Sequence, residues 1–140
     1  MASRRTLVVG GLAWAASSSA RAQSARPMVV FLGDQTSAEC KTWRAQWEPL
    51  FVASDGYKKL DYRVVYPANN SQLLMRDSWP PHLLWVLDTF LASEDGVQRG
   101  RVTPRFFLVQ NRQVTFTATG IAGWRDAMWP MILSVTGTSA

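Results

Sequence analysis

The chain contains one cysteine, Cys40, and it stands three residues after Ser37 in the stretch SAECKTW. At the start of a helix, two thiols with this spacing exchange disulfides. Such exchange needs one thiolate to attack and a second thiol to resolve the mixed disulfide. Here only the second place holds sulfur. Ser37 is no substitute for the attacking thiolate, because a serine hydroxyl has far too high a pKa and no base stands beside it in sequence. Its residue type suits an N-cap, with Cys40 as the third residue after it. A single cysteine closes no internal disulfide. In an oxidising compartment it is a buried apolar residue, a thiol paired with another molecule, or a thiol with a chemical use of its own.

Little else in the sequence offers chemistry. His82 is the only histidine and lies far from Cys40 in sequence, so spacing assembles no metal site. There is neither a phosphate-binding glycine loop nor a paired-carboxylate motif, and no cofactor is implied. Asp34, just before Ser37, reads as a turn residue, with a proton-handling role as the alternative.

The chain is 140 residues long with a formal net charge of +5. Residues 1–22, MASRRTLVVGGLAWAASSSARA, combine two early arginines, an apolar run over Leu7 to Ala16, serines, and Ala20-Arg21-Ala22 as a small-x-small cleavage site. This is the pattern of an export signal cleaved before Gln23, which predicts a periplasmic protein. The apolar run is about half the roughly 20 residues that span a bilayer, so no stable membrane anchor is expected. Ser3-Arg4-Arg5-Thr6-Leu7-Val8 fits a twin-arginine signal, and an ordinary secretion signal is the alternative. Removing residues 1–22 removes Arg4, Arg5 and Arg21 and no acid, so the net charge falls from +5 to +2. No lysine or arginine run with interleaved aromatics remains, which argues against nucleic acid as a partner. Nothing specifies an oligomer. Residues 23–140 are long enough for one domain with a real core, and six of the seven tryptophans lie there.

The elements follow from apolar periodicity. Met28 to Leu32, a continuous β-branched and aromatic run, predicts a central buried strand. From Ser37 the period becomes helical, and Cys40, Trp43, Trp47, Leu50 and Phe51 form one stripe, so the buried face carries the thiol. Leu60 to Tyr66 predicts a second strand, Pro67 to Asn70 a loop, and Ser71 to Arg76 a short helical turn. Pro81 suits a first helical turn ahead of His82 to Ala92. Ser93 to Gly100 reads as a polar loop. Arg105 to Val109 and Val114 to Ala118 predict a hairpin turning at Gln110 to Arg112. Trp124 to Val135 predicts a closing helix that lays Met128, Trp129, Met131 and Ile132 on the sheet, with a kink at Pro130. This order gives an α/β class: a single mixed sheet with a parallel start, an antiparallel C-terminal hairpin and helices on both faces.

That order, with the SAEC stretch at the mouth of the first helix and Thr103-Pro104 directly before the hairpin, resembles the thioredoxin-like superfamily. A closer resemblance is to the small periplasmic thioredoxins of bacterial sulfur-oxidation (Sox) systems. Cys40, Trp43 and Pro49 match their C-x-x-W-x-x-x-x-x-P, and Trp79-Pro80 their W-P. T-P-R-F-F-L-V from Thr103 matches their T-P-x-F-x-L-V, and Gly120, Gly123 and Trp129 their closure, with Trp129 one residue beyond the spacing. The resemblance implies a thioredoxin-like fold, a cis peptide before Pro104, and a backbone edge at Thr103 and Pro104 that binds an extended segment of a partner protein or peptide, including as a mixed disulfide through Cys40. Trp43, Trp47 and Pro49 would be structural, and Lys41 resembles the lysine that follows the motif in many thioredoxins. Serine in the first cysteine's place removes the dithiol cycle. Three functions remain open: a single-thiol redox or thiol-handling protein acting on a partner protein or sulfur species; a non-catalytic binding or regulatory module using the groove at Ser37 and Pro104; and a single-cysteine peroxidase. The last follows because S-x-x-C also resembles the peroxiredoxin T-x-x-C, with Arg105 as the expected neighbour of the thiol and sulfenic acid as the first product.

Overall fold

The computed structural model describes residues 26–139. The expected export signal, residues 1–22, lies outside the described residues.

Four strands make one sheet in the order β2-β1-β3-β4. β1 (Met28–Leu32) runs parallel to β2 (Asp61–Val65) and antiparallel to β3 (Arg105–Gln110). β3 pairs antiparallel with β4 (Gln113–Thr119), as the hairpin pattern predicts. The two turn residues, Asn111 and Arg112, both take positive φ, 52° and 60°, the geometry that matches a tight turn to the twist of its strands.

Alternation along β1 and β3 divides the core. Val29, Phe31, Phe106 and Leu108 face one side of the sheet and pack on α1 (Ala38–Gln46), α2 (Glu48–Val52) and the closing helix. Val30, Leu32, Phe107 and Val109 face the other side and pack on α3 (Leu84–Ala92) and the turns before it. The first core is aromatic: Trp43 stacks on Phe31 at 4.9 Å and meets the edge of Trp124 at 5.1 Å. Such pairs add about 1 kcal/mol each beyond the area they bury.

The structure departs from the sequence reading in four places. The helix after Ser37 breaks at Trp47, because Pro49 opens a second, short helix, and Leu50 turns outward with 68% of its surface exposed instead of joining the stripe. Ser93 to Gly100 is no loop. Glu94–Arg99 forms α4, because the Ser93 hydroxyl accepts from the Gly96 amide and two acids occupy the first turn. The Ser71 to Arg76 turn divides into two 3₁₀ turns, Asn70–Gln72 and Arg76–Ser78. The closing helix begins earlier, at α5 (Gly120–Gly123), widens into a π turn over Trp124–Met128 and resumes as α6 (Trp129–Thr136). Pro130 therefore sits in the first turn of α6, where its missing amide costs no helix bond.

Candidate functional site

Three loop regions meet at one end of the sheet. The β1–α1 loop carries Asp34, Thr36 and Ser37; the turn after β2 carries Asn70; and the segment before β3 carries Thr103 and Pro104, joined by a cis peptide bond. They meet because β1 and β3 are neighbours, with Leu32 opposite Arg105.

Ser37 is the N-cap of α1, in extended conformation, and its Oγ accepts the Cys40 amide at 3.2 Å. That bond takes up a lone pair of the hydroxyl and leaves Ser37 half-buried. Cys40, three residues on, is completely buried among Phe31, Trp43 and the rest of the first core. Its Sγ lies so close to Gly33 that a Cβ built there would stand 2.7 Å from the sulfur. Only a glycine fits beneath this thiol.

Lys41 is exposed, on the solvent side of the same helix. Trp43 is buried, and Trp47 is half-buried at the helix break that Pro49 follows. Pro104 is buried, and its carbonyl accepts the Gly120 amide at 2.7 Å, tying the start of β3 to the closing helix. Gly120, at φ +76°, lets the chain pass beside the Glu39 carboxylate, which a Cβ there would approach to 3.2 Å.

Arg105 is not brought to the thiol. β-strand alternation puts it on the face of Phe107 and Val109, across the sheet from Cys40. It is wholly buried there: Nη1 donates to Asp95, Nη2 donates to the Arg99 carbonyl at 2.9 Å, and Cζ lies 4.5 Å over the Phe90 ring. Its Nε finds no hydrogen-bond partner among the described residues. Burial pushes the Asp95 carboxyl up, but its bonds to Arg105 and Arg99 outweigh burial and hold it below the ordinary value.

An arginine that does lie on the thiol's side of the sheet is Arg44, which sequence reasoning did not single out. Its Cζ lies 4.7 Å over the Tyr66 ring and 5.6 Å over Phe31, and its Nε pairs with Glu48 at 3.2 Å. Burial, followed by proximity to the Cys40 thiol, pushes the Tyr66 phenol up.

Asp34, read from sequence as a turn residue with a proton-handling role as the alternative, is the most connected polar group of the site. It is 2% exposed; Oδ1 accepts the Thr36 amide at 3.1 Å and the Thr36 hydroxyl. Oδ2 accepts Asn70 Nδ2 at 3.3 Å and the Thr103 hydroxyl at 3.4 Å. Burial pushes its carboxyl up, and these four bonds overcome burial and leave it below the ordinary value. The short Asp-x-Thr spacing signals only the local bonds; Asn70 and Thr103 lie 36 and 69 residues away. Among the described residues, no group of three or more His, Cys, Asp or Glu side chains converges to hold a metal ion, and no helix is long and apolar enough to cross a membrane.

No protein-family profile and no curated protein matches the chain. Solved structures do. A thioredoxin from Malassezia sympodialis, Mala s 13, superposes with a TM-score of 0.50 at 15% identity over 79% of this chain and 78% of its own. The periplasmic thioredoxin SoxS from Paracoccus pantotrophus, in its reduced form, superposes with a TM-score of 0.50 at 20% identity over 79% of this chain and 96% of its own. At these identities the likeness is one of fold. The fold is thioredoxin-like, a mixed sheet with helices on both faces, and the SAEC stretch stands at the mouth of its first helix.

Proposed function

We propose that this is an exported thioredoxin-fold protein that binds an extended segment of a partner protein or peptide at the surface formed by Ser37, Thr103 and Pro104, without carrying out dithiol exchange. One observation carries the reading: the attacking position holds a serine whose hydroxyl caps α1, and the remaining sulfur is completely buried against Gly33. A thiolate exchanges only when it reaches its target, and a sealed one does not. Binding of an extended segment by backbone hydrogen bonds needs no thiol. A periplasmic setting is supported by the signal pattern of residues 1–22 and fits the periplasmic thioredoxin whose fold this chain shares. The sulfur-oxidation motifs at Cys40, Trp79 and Thr103 point to a partner in sulfur metabolism.

A single-thiol role is the second reading, favoured by the position of Cys40 in the first turn of α1, next to the Ser37–Pro104 surface. In that role the Cys40 thiolate would attack one sulfur of a partner disulfide, forming the mixed disulfide and releasing the partner's other sulfur as a thiolate. The peroxidase reading loses the arginine it required, since Arg105 faces the opposite core.

Trapping separates the two readings. In a Ser37→Cys, Cys40→Ser double variant, a thiol stands at the binding surface with nothing to resolve a mixed disulfide. Labelled at that thiol with a maleimide photo-crosslinker and irradiated in periplasmic extract, it is expected to hold a discrete partner through position 37, and excess wild-type protein should compete for that partner. Wild-type protein is expected to trap none. A partner held by wild-type Cys40 would establish the single-thiol role instead.

A further inference from the structure

We propose that Asp34 is a positioning residue whose buried carboxylate clasps the three loops framing the Ser37–Pro104 surface and thereby keeps Cys40 sealed. The proposal rests on reading that surface as the binding site, but its test needs no partner.

An ordinary turn aspartate bonds only to its own loop. Asp34 does that through Thr36, and its other oxygen reaches Asn70 and Thr103. Asn70 is itself locked to the third loop: its Nδ2 donates to the Arg101 carbonyl at 3.2 Å, and Arg101 Nη1 donates to the Asn70 carbonyl at 2.7 Å. All four donors to the carboxylate are neutral. A buried charge compensated only by oriented dipoles loses heavily when any of them moves, so the three loops hold their places together.

The link to the thiol is one residue long. Gly33 covers the sulfur, and its amide donates to the Val65 carbonyl at 3.0 Å, which fixes it on the β2 side. Asp34 fixes the same segment on the Thr103 side. With the clasp released, the Gly33 to Thr36 segment is anchored on the β2 side only and lifts from Cys40 without unfolding of the domain. Local openings of this kind are distinguishable from global ones because they expose little surface and so depend little on denaturant.

The experiment is native-state alkylation of Cys40 by iodoacetamide across low urea concentrations. The proteins compared are wild type, Asp34→Ala, Asn70→Ala, Thr103→Val and, as a control in the opposite core, Phe90→Leu. Loss of the clasp is expected to raise the urea-independent labelling rate about tenfold in Asp34→Ala and several-fold in each single-donor variant. Phe90→Leu should be labelled faster only along the urea-dependent line of its global unfolding. The proposal is overturned if Asp34→Ala shows only that urea-dependent line, or if Asn70→Ala and Thr103→Val leave the urea-independent rate at the wild-type value. Should Asp34→Ala not fold, the two loop variants decide. Failure here leaves the trapping result at position 37 untouched, so the clasp and the binding surface stand or fall separately.

Discussion

Gly33 and Cys40 form the contact on which the functional reading turns, and it is a steric one. A methyl group at Gly33 would come within 2.7 Å of both the Cys40 sulfur and the tip of the Phe31 ring. Both are held in a packed aromatic core, so neither has room to retreat. Gly33→Ala is therefore expected to destabilise the protein by about 1–3 kcal/mol, the usual cost of overpacking. Urea unfolding checks this, and adding Cys40→Ala should recover part of the loss by removing one of the two clashes. Full additivity of the two substitutions would contradict the contact. At this scale the sequence was informative about type and not about direction. It marked Ser37 as a cap and Cys40 as the buried-face thiol, and both are so placed. The resemblance to the peroxiredoxin T-x-x-C motif paired Arg105 with the thiol, but which face of a strand a residue occupies depends on register, and a one-residue offset reverses it.

At the scale of elements, the cap–acid pattern at Ser93 makes a helix of what composition alone presents as a polar loop. That helix, α4, delivers Asp95 to the fully buried Arg105. Arg105 has no exposure, whereas Asp95 keeps a third of its side chain in water, so the pair is asymmetric. Removing the acid strands the guanidinium in the core; Asp95→Ala is expected to cost about 3 kcal/mol or more. Because Arg105 lies across the sheet from Cys40, this loss should follow the global unfolding midpoint and leave the urea-independent labelling of Cys40 unchanged. An equal rise in that local rate would contradict the division of the core into two independent faces. Strand runs, the hairpin and the closing helix were legible from periodicity and turn chemistry. The break at Trp47 and the π turn before Pro130 were not, because each depends on how a proline's missing donor is accommodated in three dimensions.

For the whole molecule, element order was enough to specify the architecture. A parallel β1–β2 pair needs a crossover, and an antiparallel hairpin needs only a two-residue turn, so the strand and helix sequence left few topologies. The site was less legible because its organising group, Asp34, is defined by partners that only the fold brings together. The proposal concerns the same whole: a thioredoxin-like fold that would offer the Ser37–Pro104 surface to a partner while withholding its sulfur. The most direct measurement is the rate of Cys40 alkylation against pH in the folded protein, with the urea-unfolded protein as reference. The account predicts a folded-state rate at least about a hundredfold below the unfolded one at every pH where the fold persists, the factor imposed by a local opening of about 2.7 kcal/mol. A folded-state rate equal to or above the unfolded one at neutral pH, with a midpoint well below the reference of about 8.5, would contradict it and make Cys40 the working thiol.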